Sequence, residues 1–370
     1  MRSKVIGFVK RETVLLVACV LAVISCFLVP PDAEYVSYID WRTLALLFCL
    51  MSVMAGFQET GAFQKLGTGM LLKTKSGRGV AFVLVFLCFL CSMWITNDVA
   101  LITFVPFGLL VLRLADMERS VSLVVTLMTI AANLGSMLTP IGNPQNLYLY
   151  TASGRSFLSF IGLMLPYTLL AAALLATVIL CACPNPKISV KLTAEQKKLP
   201  AKPLALYSVL FLLCLLTVLK LIPIYILFPA VAVVLLIFNR KLLLKVDYSL
   251  LLTFAAFFIF VGNMGRVPAL HELILRVVTG HEQTMAVALS QIISNVPAAL
   301  LLSGFTENTD ALIVGTNLGG LGTLIASMAS LISYKQIALQ YGTQKKRYLL
   351  LFTLWNVLFL AALLLLSAAI

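Results

Sequence analysis

Apolar runs long enough to cross a hydrocarbon layer of about 30 Å recur along nearly the whole 370-residue chain, so lipid is the main solvent its side chains meet. With 61% hydrophobic and 11% charged residues, the chain has too little polar surface for a water-soluble globule of this size. It reads as an all-α polytopic membrane protein with no room for a separate soluble domain. Membrane segments are expected near 13–30, 43–60, 121–152, 157–183, 204–220, 222–239, 248–264, 311–334 and 348–369.

Two further stretches are too short to span. Residues 80–94 and 99–112 are apolar arms of roughly 15 residues where a span needs about 20, and they meet at Thr96-Asn97-Asp98. That pattern predicts a re-entrant helical hairpin over 80–112. Residues 284–293 and 297–305 repeat it around Ser294-Asn295, with Pro297 where a new helix loses no needed N–H, giving a second hairpin over 284–305. After each hairpin comes a small-residue span holding Asn-Leu-Gly, at Asn133-Leu134-Gly135 and at Asn317-Leu318-Gly319; Thr139 and Thr323, then Tyr150 and Tyr334, follow in register. The chain therefore divides into a first repeat at 1–183, a linker and connecting helix at 184–220, and a second repeat at 221–370.

Charge sets the direction of each copy. When the loops are placed alternately, 22 of the 27 Lys and Arg residues fall on one side, which the positive-inside rule makes cytoplasmic. Arg2, Lys4, Lys10 and Arg11 start the chain there, and the C-terminus falls outside. The first hairpin then enters from the cytoplasm and the second from outside, so the repeats are inverted, the pattern of secondary transporters in the cell membrane. The formal charge of +13 is thereby explained without nucleic acid.

A chain break at membrane depth survives only where it is buried or lines a cavity. Thr139-Pro140-Ile141-Gly142-Asn143-Pro144-Gln145-Asn146 cannot continue a helix ladder, and Gly319-Gly320-Leu321-Gly322-Thr323 predicts a milder break in the second repeat. Each hairpin tip offers the N-terminus of its second arm, about half a positive charge suited to an anion, while tip carbonyls and asparagine oxygens suit Na+. The intramembrane acid Asp98 is a candidate for cation or proton coupling, against the alternative that it caps the second arm. Its counterpart is Val296, so one strong cation site is expected, with Na+ at Asn97, Asp98 and Asn295 as its ligand set. Glu59, near Lys65, reads as interfacial. Eight cysteines lie in or at the ends of apolar helices, Cys88-x-x-Cys91 lacks a second ligand pair, and no nucleotide-binding glycine loop or metal-ligand spacing occurs.

Ile95 to Leu101, Leu138 to Asn146 and Ile293 to Pro297 together resemble the ion transporter superfamily, which includes citrate and divalent-anion sodium symporters, arsenite permeases and certain sodium/proton antiporters. The resemblance covers nearly the whole chain. It implies a substrate held between two hairpin tips and two unwound spans, commonly in a homodimer with a moving part and a fixed scaffold. By position, Thr96, Asn97, Ser294 and Asn295 resemble the family's tip residues, and Thr139, Gly142, Asn143, Gly319 and Thr323 the facing break, to which the flanking Pro140, Pro297 and Asn317 are added. Dicarboxylate carriers have Ser-Asn-Thr at both tips, whereas Asp98 and Val296 stand here, and a carboxylate there is similar to the arsenite permease and antiporter branches.

The expectation is a secondary transporter, not an enzyme, moving a small anion or oxyanion of the carboxylate or arsenite-like kind with Na+ or H+ and no resident cofactor. A Na+/H+ antiporter is the nearest rival. A membrane-embedded lipid-modifying enzyme lacks the clustered acids or nucleophile it would need. A passive channel and a separate ATPase partner both stay open to the sequence.

Overall fold

The computed structural model describes residues 12–187 and 199–370, so the basic N-terminus from Arg2 to Arg11 and the lysines at 191, 197 and 198 lie outside the described residues. The first half comprises α1 (Thr13–Leu28), α2 (Tyr35–Tyr38), α3 (Trp41–Thr60), α4 (Ala62–Leu71), α5 (Gly77–Ser92), α6 (Asn97–Leu114), α7 (Val121–Ser136), α8 (Pro144–Ser153) and α9 (Phe157–Ala182). After α10 (Ala201–Val218) come α11 (Ile224–Asn239), α12 (Tyr248–Gly265), α13 (Pro268–Val278), α14 (Glu282–Ile293), α15 (Asn295–Ser303), α16 (Thr309–Leu318), α17 (Met328–Gln340) and α18 (Lys345–Ala369). Among the described residues the regular secondary structure is helical, and eight helices are long and apolar enough to cross a membrane.

The order of elements recurs. A span (α3 or α12), a short amphipathic helix (α4 or α13), a helical hairpin (α5–α6 or α14–α15), a broken span (α7–α8 or α16–α17) and a long closing helix (α9 or α18) follow one another in both halves, with α10 between them. The amphipathic α4 and α13 lie outside the membrane segments and hairpins that the sequence predicts. The second break is the longer of the two: helix stops at Leu318 and resumes at Met328, against Ser136 and Pro144 in the first half, so it is not the milder one. Three glycines within four residues, Gly319, Gly320 and Gly322, account for that length by their conformational freedom.

The hairpins and broken spans form the packed centre. α5 lies along α7, and α14 along α16, while the second arm of each hairpin crosses to the other copy: α6 packs on α17 and α15 on α8. The span that includes α7 is 89% buried over its apolar window, against 22% for the one that includes α11, so α7 is a core helix and α11 faces lipid. Close approach needs glycine at two matching places. A Cβ at Gly135 would come within 2.6 Å of Ser92 Oγ, and one at Gly319 within 2.6 Å of Ser290 Oγ.

Outside the membrane, Arg266 clasps Asp32 at 2.6 Å and Glu34 at 3.4 Å. The hydrogen bond from Arg266 holds the Asp32 carboxyl below the usual carboxylate range. A depressed folded pKa adds stability above the ordinary value that is lost as pH falls through the lowered one, but this pair is exposed and screened. Asp32→Asn is therefore expected to leave the melting temperature in detergent within a few degrees of the parent.

Candidate functional site

Each tip is built by the same hydrogen bonds. In the first hairpin the chain turns between Ser92 and Asn97, and the Asn97 N–H donates to the Gly142 carbonyl of the facing break at 3.2 Å; in the second the Asn295 N–H donates to the Ala326 carbonyl at 3.0 Å. Thr139 Oγ1 donates to the Met93 carbonyl, and Thr323 Oγ1 donates to the Gln291 carbonyl at 2.9 Å, each four residues before the tip asparagine. The asparagines of the two Asn-Leu-Gly motifs reach across to the other copy. Asn133 Oδ1 accepts from Asn97 Nδ2 at 3.0 Å and from Ser327 Oγ at 3.0 Å, while Asn317 Nδ2 donates to Asn146 Oδ1 at 2.7 Å.

Backbone groups freed by the breaks are satisfied by side-chain amides, as burial away from water demands. Asn146 Nδ2 donates to the carbonyls of Ser136 at 3.2 Å and Thr139 at 3.3 Å. In the second half Gln291 does this work, donating to the Gly319 and Leu321 carbonyls at 3.0 Å and accepting from the Thr323 N–H at 2.9 Å. Gln291 carried no motif that would have marked it in the sequence. Ser294 holds the second tip at φ 77°, a left-handed conformation that costs a non-glycine residue energy and is maintained by the packing around it.

The equivalent positions differ in chemistry. Asp98 is matched by Val296, Asn143 by Ser327 and Gln145 by Ala329, so polar function is concentrated in the first half. Thr96, not Asp98, caps α6: its Oγ1 accepts from the Val99 N–H at 3.4 Å. The Asp98 carboxylate is left half-buried, and among the described residues no hydrogen bond or ion pair to it is found. It lines a cavity of about 170 Å³ together with Thr96, Asn143, Gln58, Lys245 and Asp247. At that cavity α8 begins with Pro144, preceded by Asn143, whose side chain makes no capping hydrogen bond.

Beside the second tip the cavity shrinks to about 30 Å³, lined by Val296 and Pro297 and sharing Asp247 and Leu250 with the larger one. The remaining predicted residues do not line the larger cavity. Asn97, Thr139, Pro140, Gly142, Ser294, Asn295, Asn317 and Gly319 are buried in the tips and breaks behind it, and Thr323 is exposed. Asn97 and Asp98 share one tip, where the Asp98 N–H donates to Asn97 Oδ1 at 2.9 Å, while Asn295 belongs to the other, and among the described residues no hydrogen bond joins Asn295 to either. Glu59 pairs with Lys245 at 2.6 Å and accepts from Asn239 at 2.8 Å, so its partner is not Lys65. Among the described residues no group of three or more His, Cys, Asp and Glu side chains is arranged to hold a metal ion.

Removing Asn133 leaves the buried Asn97 amide and Ser327 hydroxyl without their acceptor. Asn133→Ala is expected to cost about 1–3 kcal/mol, seen as a lower melting temperature in detergent.

Two helical hairpins locked onto two broken spans, with an acid and the start of a broken helix at one cavity, define a polytopic membrane transporter. The chain belongs to the citrate transporter family, whose model matches residues 4–310. It is 35% identical to the inner membrane protein YbiR of Escherichia coli over 80% of both chains, and 32% identical to the uncharacterized transporter MJ0456 of Methanocaldococcus jannaschii over 82% of both. A shorter match, 36% identical, covers 40% of this chain and 30% of the rice silicon efflux transporter LSI3. Membership makes the chain a multi-pass transporter and sets the lipid-enzyme reading aside.

Proposed function

We propose that the protein carries a small anion or oxyanion, of the carboxylate or arsenite-like kind, across the cell membrane by secondary transport coupled to Na+ or H+. The observation that carries this reading is the larger cavity, which the unpaired carboxylate of Asp98 lines together with Asn143 and Pro144 at the positive end of the α8 dipole. The helix end attracts a negative group and the carboxylate a positive one, so anion and cation stabilise each other there. The relative named for silicon efflux agrees with a small oxyacid as cargo. Orientation follows the charge count, with the end of α3 bearing Glu59 in the cytoplasm and the repeats inverted, and a homodimer is the assembly the family resemblance implies.

Gradient-driven uptake into proteoliposomes tests the reading. Citrate and arsenite, each offered under an inward Na+ gradient and separately under a pH gradient, should give saturable, gradient-dependent uptake of at least one of them. Non-saturable flux that neither a Na+ nor a pH gradient drives would make the protein a channel. A Na+/H+ antiporter is the second reading, favoured by the presence of Asp247 on the same cavity as Asp98. It is distinguished by Na+-dependent proton flux with no anion present.

A further inference from the structure

Among the described residues the larger cavity is lined by three charged side chains, of which Lys245 alone is a cation. Asp98 comes from the first hairpin; Asp247 caps the start of α12, accepting from the Leu250 N–H at 3.0 Å; Lys245 ends the 3-10 turn Arg240–Lys245 just before it. The other polar residues on the wall, Thr96 from the tip, Gln58 from α3 and Asn143 from the break, are neutral. Lys245 is drawn to one edge of the cavity, where its Nζ sits 2.6 Å from Glu59 Oε1, and Asn239 secures the other Glu59 oxygen at 2.8 Å.

A bare carboxylate at membrane depth, facing a second one, is costly unless a cation or a proton joins it. While the coupling ion is bound, that condition is met. Once the ion leaves, the unloaded carrier must find another positive charge, and Lys245 is the cation on the same cavity wall, at the end of a long flexible stem. We propose that Lys245 is a built-in surrogate for the coupling ion: parked on Glu59 when Asp98 is loaded, and turned to Asp98 when it is not. Lys245 thus competes with the ion, and Glu59 sets the strength of that competition. The inference rests on Asp98 being the coupling residue.

The test is ion binding to the full-length protein in detergent, read as the rise in melting temperature on titrating NaCl against choline chloride, and separately on lowering the pH. Lys245→Met should lower the half-saturating Na+ concentration about tenfold, or raise the pH midpoint by about one unit, and Glu59→Gln should move the same midpoint the opposite way. Lys245→Arg should restore the parent value. The decisive arm is the double variant. If Lys245 acts by exchanging partners, Glu59→Gln has no effect in the Lys245→Met background; a Glu59→Gln shift that persists there is simple field electrostatics and overturns the proposal. A Lys245→Met midpoint equal to the parent's also overturns it. An ion-dependent shift that survives Asp98→Asn sinks the coupling role of Asp98 instead, so the two failures are told apart.

Discussion

Asp98→Asn is expected to cut gradient-driven uptake by about a hundredfold, towards the upper end of known coupling free energies, while the protein stays folded. Both halves of that statement come from the same geometry. The carboxylate makes no hydrogen bond or ion pair among the described residues, and Thr96 already caps α6, so asparagine breaks no interaction that holds the hairpin. Losing a negative charge opposite Asp247 removes a repulsion, which keeps the melting temperature at or above the parent's. What disappears is the group that distinguishes the first tip from the second. Val296→Asp makes the converse point: the cavity there is about 30 Å³ and apolar on the tip side, so a new carboxylate should destabilise the fold without adding a coupling site. Uptake into proteoliposomes and thermal unfolding, measured on the same preparations, check both variants. An Asp98→Asn protein with full gradient-driven uptake would refute the assignment.

The second large effect is expected at the glycines between hairpin and broken span. At Gly135 a Cβ would collide with the carbonyl of Phe89 as well as with Ser92 Oγ, and backbone cannot swing aside as a side-chain end can. At Gly319 the overlap is milder than that with the Phe89 carbonyl at Gly135: Ser290 Oγ on α14 would lie at 2.6 Å and the Gly315 carbonyl at 2.8 Å. Overpacking of this kind costs about 1–3 kcal/mol when neighbours can shift and more when they cannot. Gly135→Ala is therefore expected to abolish recovery of monodisperse protein, and Gly319→Ala to lower the melting temperature while retaining some folded yield. Size-exclusion profiles in detergent separate the two; equal, undiminished yields would show that the helices pack less tightly than the structure has them.

Much of this arrangement was readable in the residues, because lipid makes the rules strict. Short apolar arms around Thr96-Asn97-Asp98 and Ser294-Asn295 fixed both hairpins to within a few residues, and Pro140 and Pro144 fixed the first break. The second break was underestimated because glycine loosens a helix without forbidding it, and only the packing against Gln291 revealed how far the unwinding runs. Amphipathic α4 and α13 were missed for a related reason: eleven residues or fewer, mixed in polarity, look like loop when the search is for spans. The site itself was half legible. Of the residues the sequence singles out, Asp98, Thr96 and Asn143 line the cavity, whereas Asp247 and Lys245 sit in a loop by sequence and reach it only through tertiary folding. Glu59 found its partner in Lys245 on the far repeat rather than in the nearby Lys65 for the same reason.

Because the Asn97 and Asn295 N–H groups are bonded to break carbonyls of their own halves of the chain, and Asn133 and Asn317 stitch those halves together, hairpins and broken spans cannot easily part from one another. Any displacement that exposes the cavity to the opposite face must then occur at the boundary with α3 and α12, where Leu47, Leu50, Met51 and Leu250 face the tip. Such a surface slides rather than unlatches. Turnover on that account is set by the friction of an oily seam and by how the surrounding bilayer fits a body that shifts through it, so acyl-chain length should change the speed of transport without changing which ions drive it.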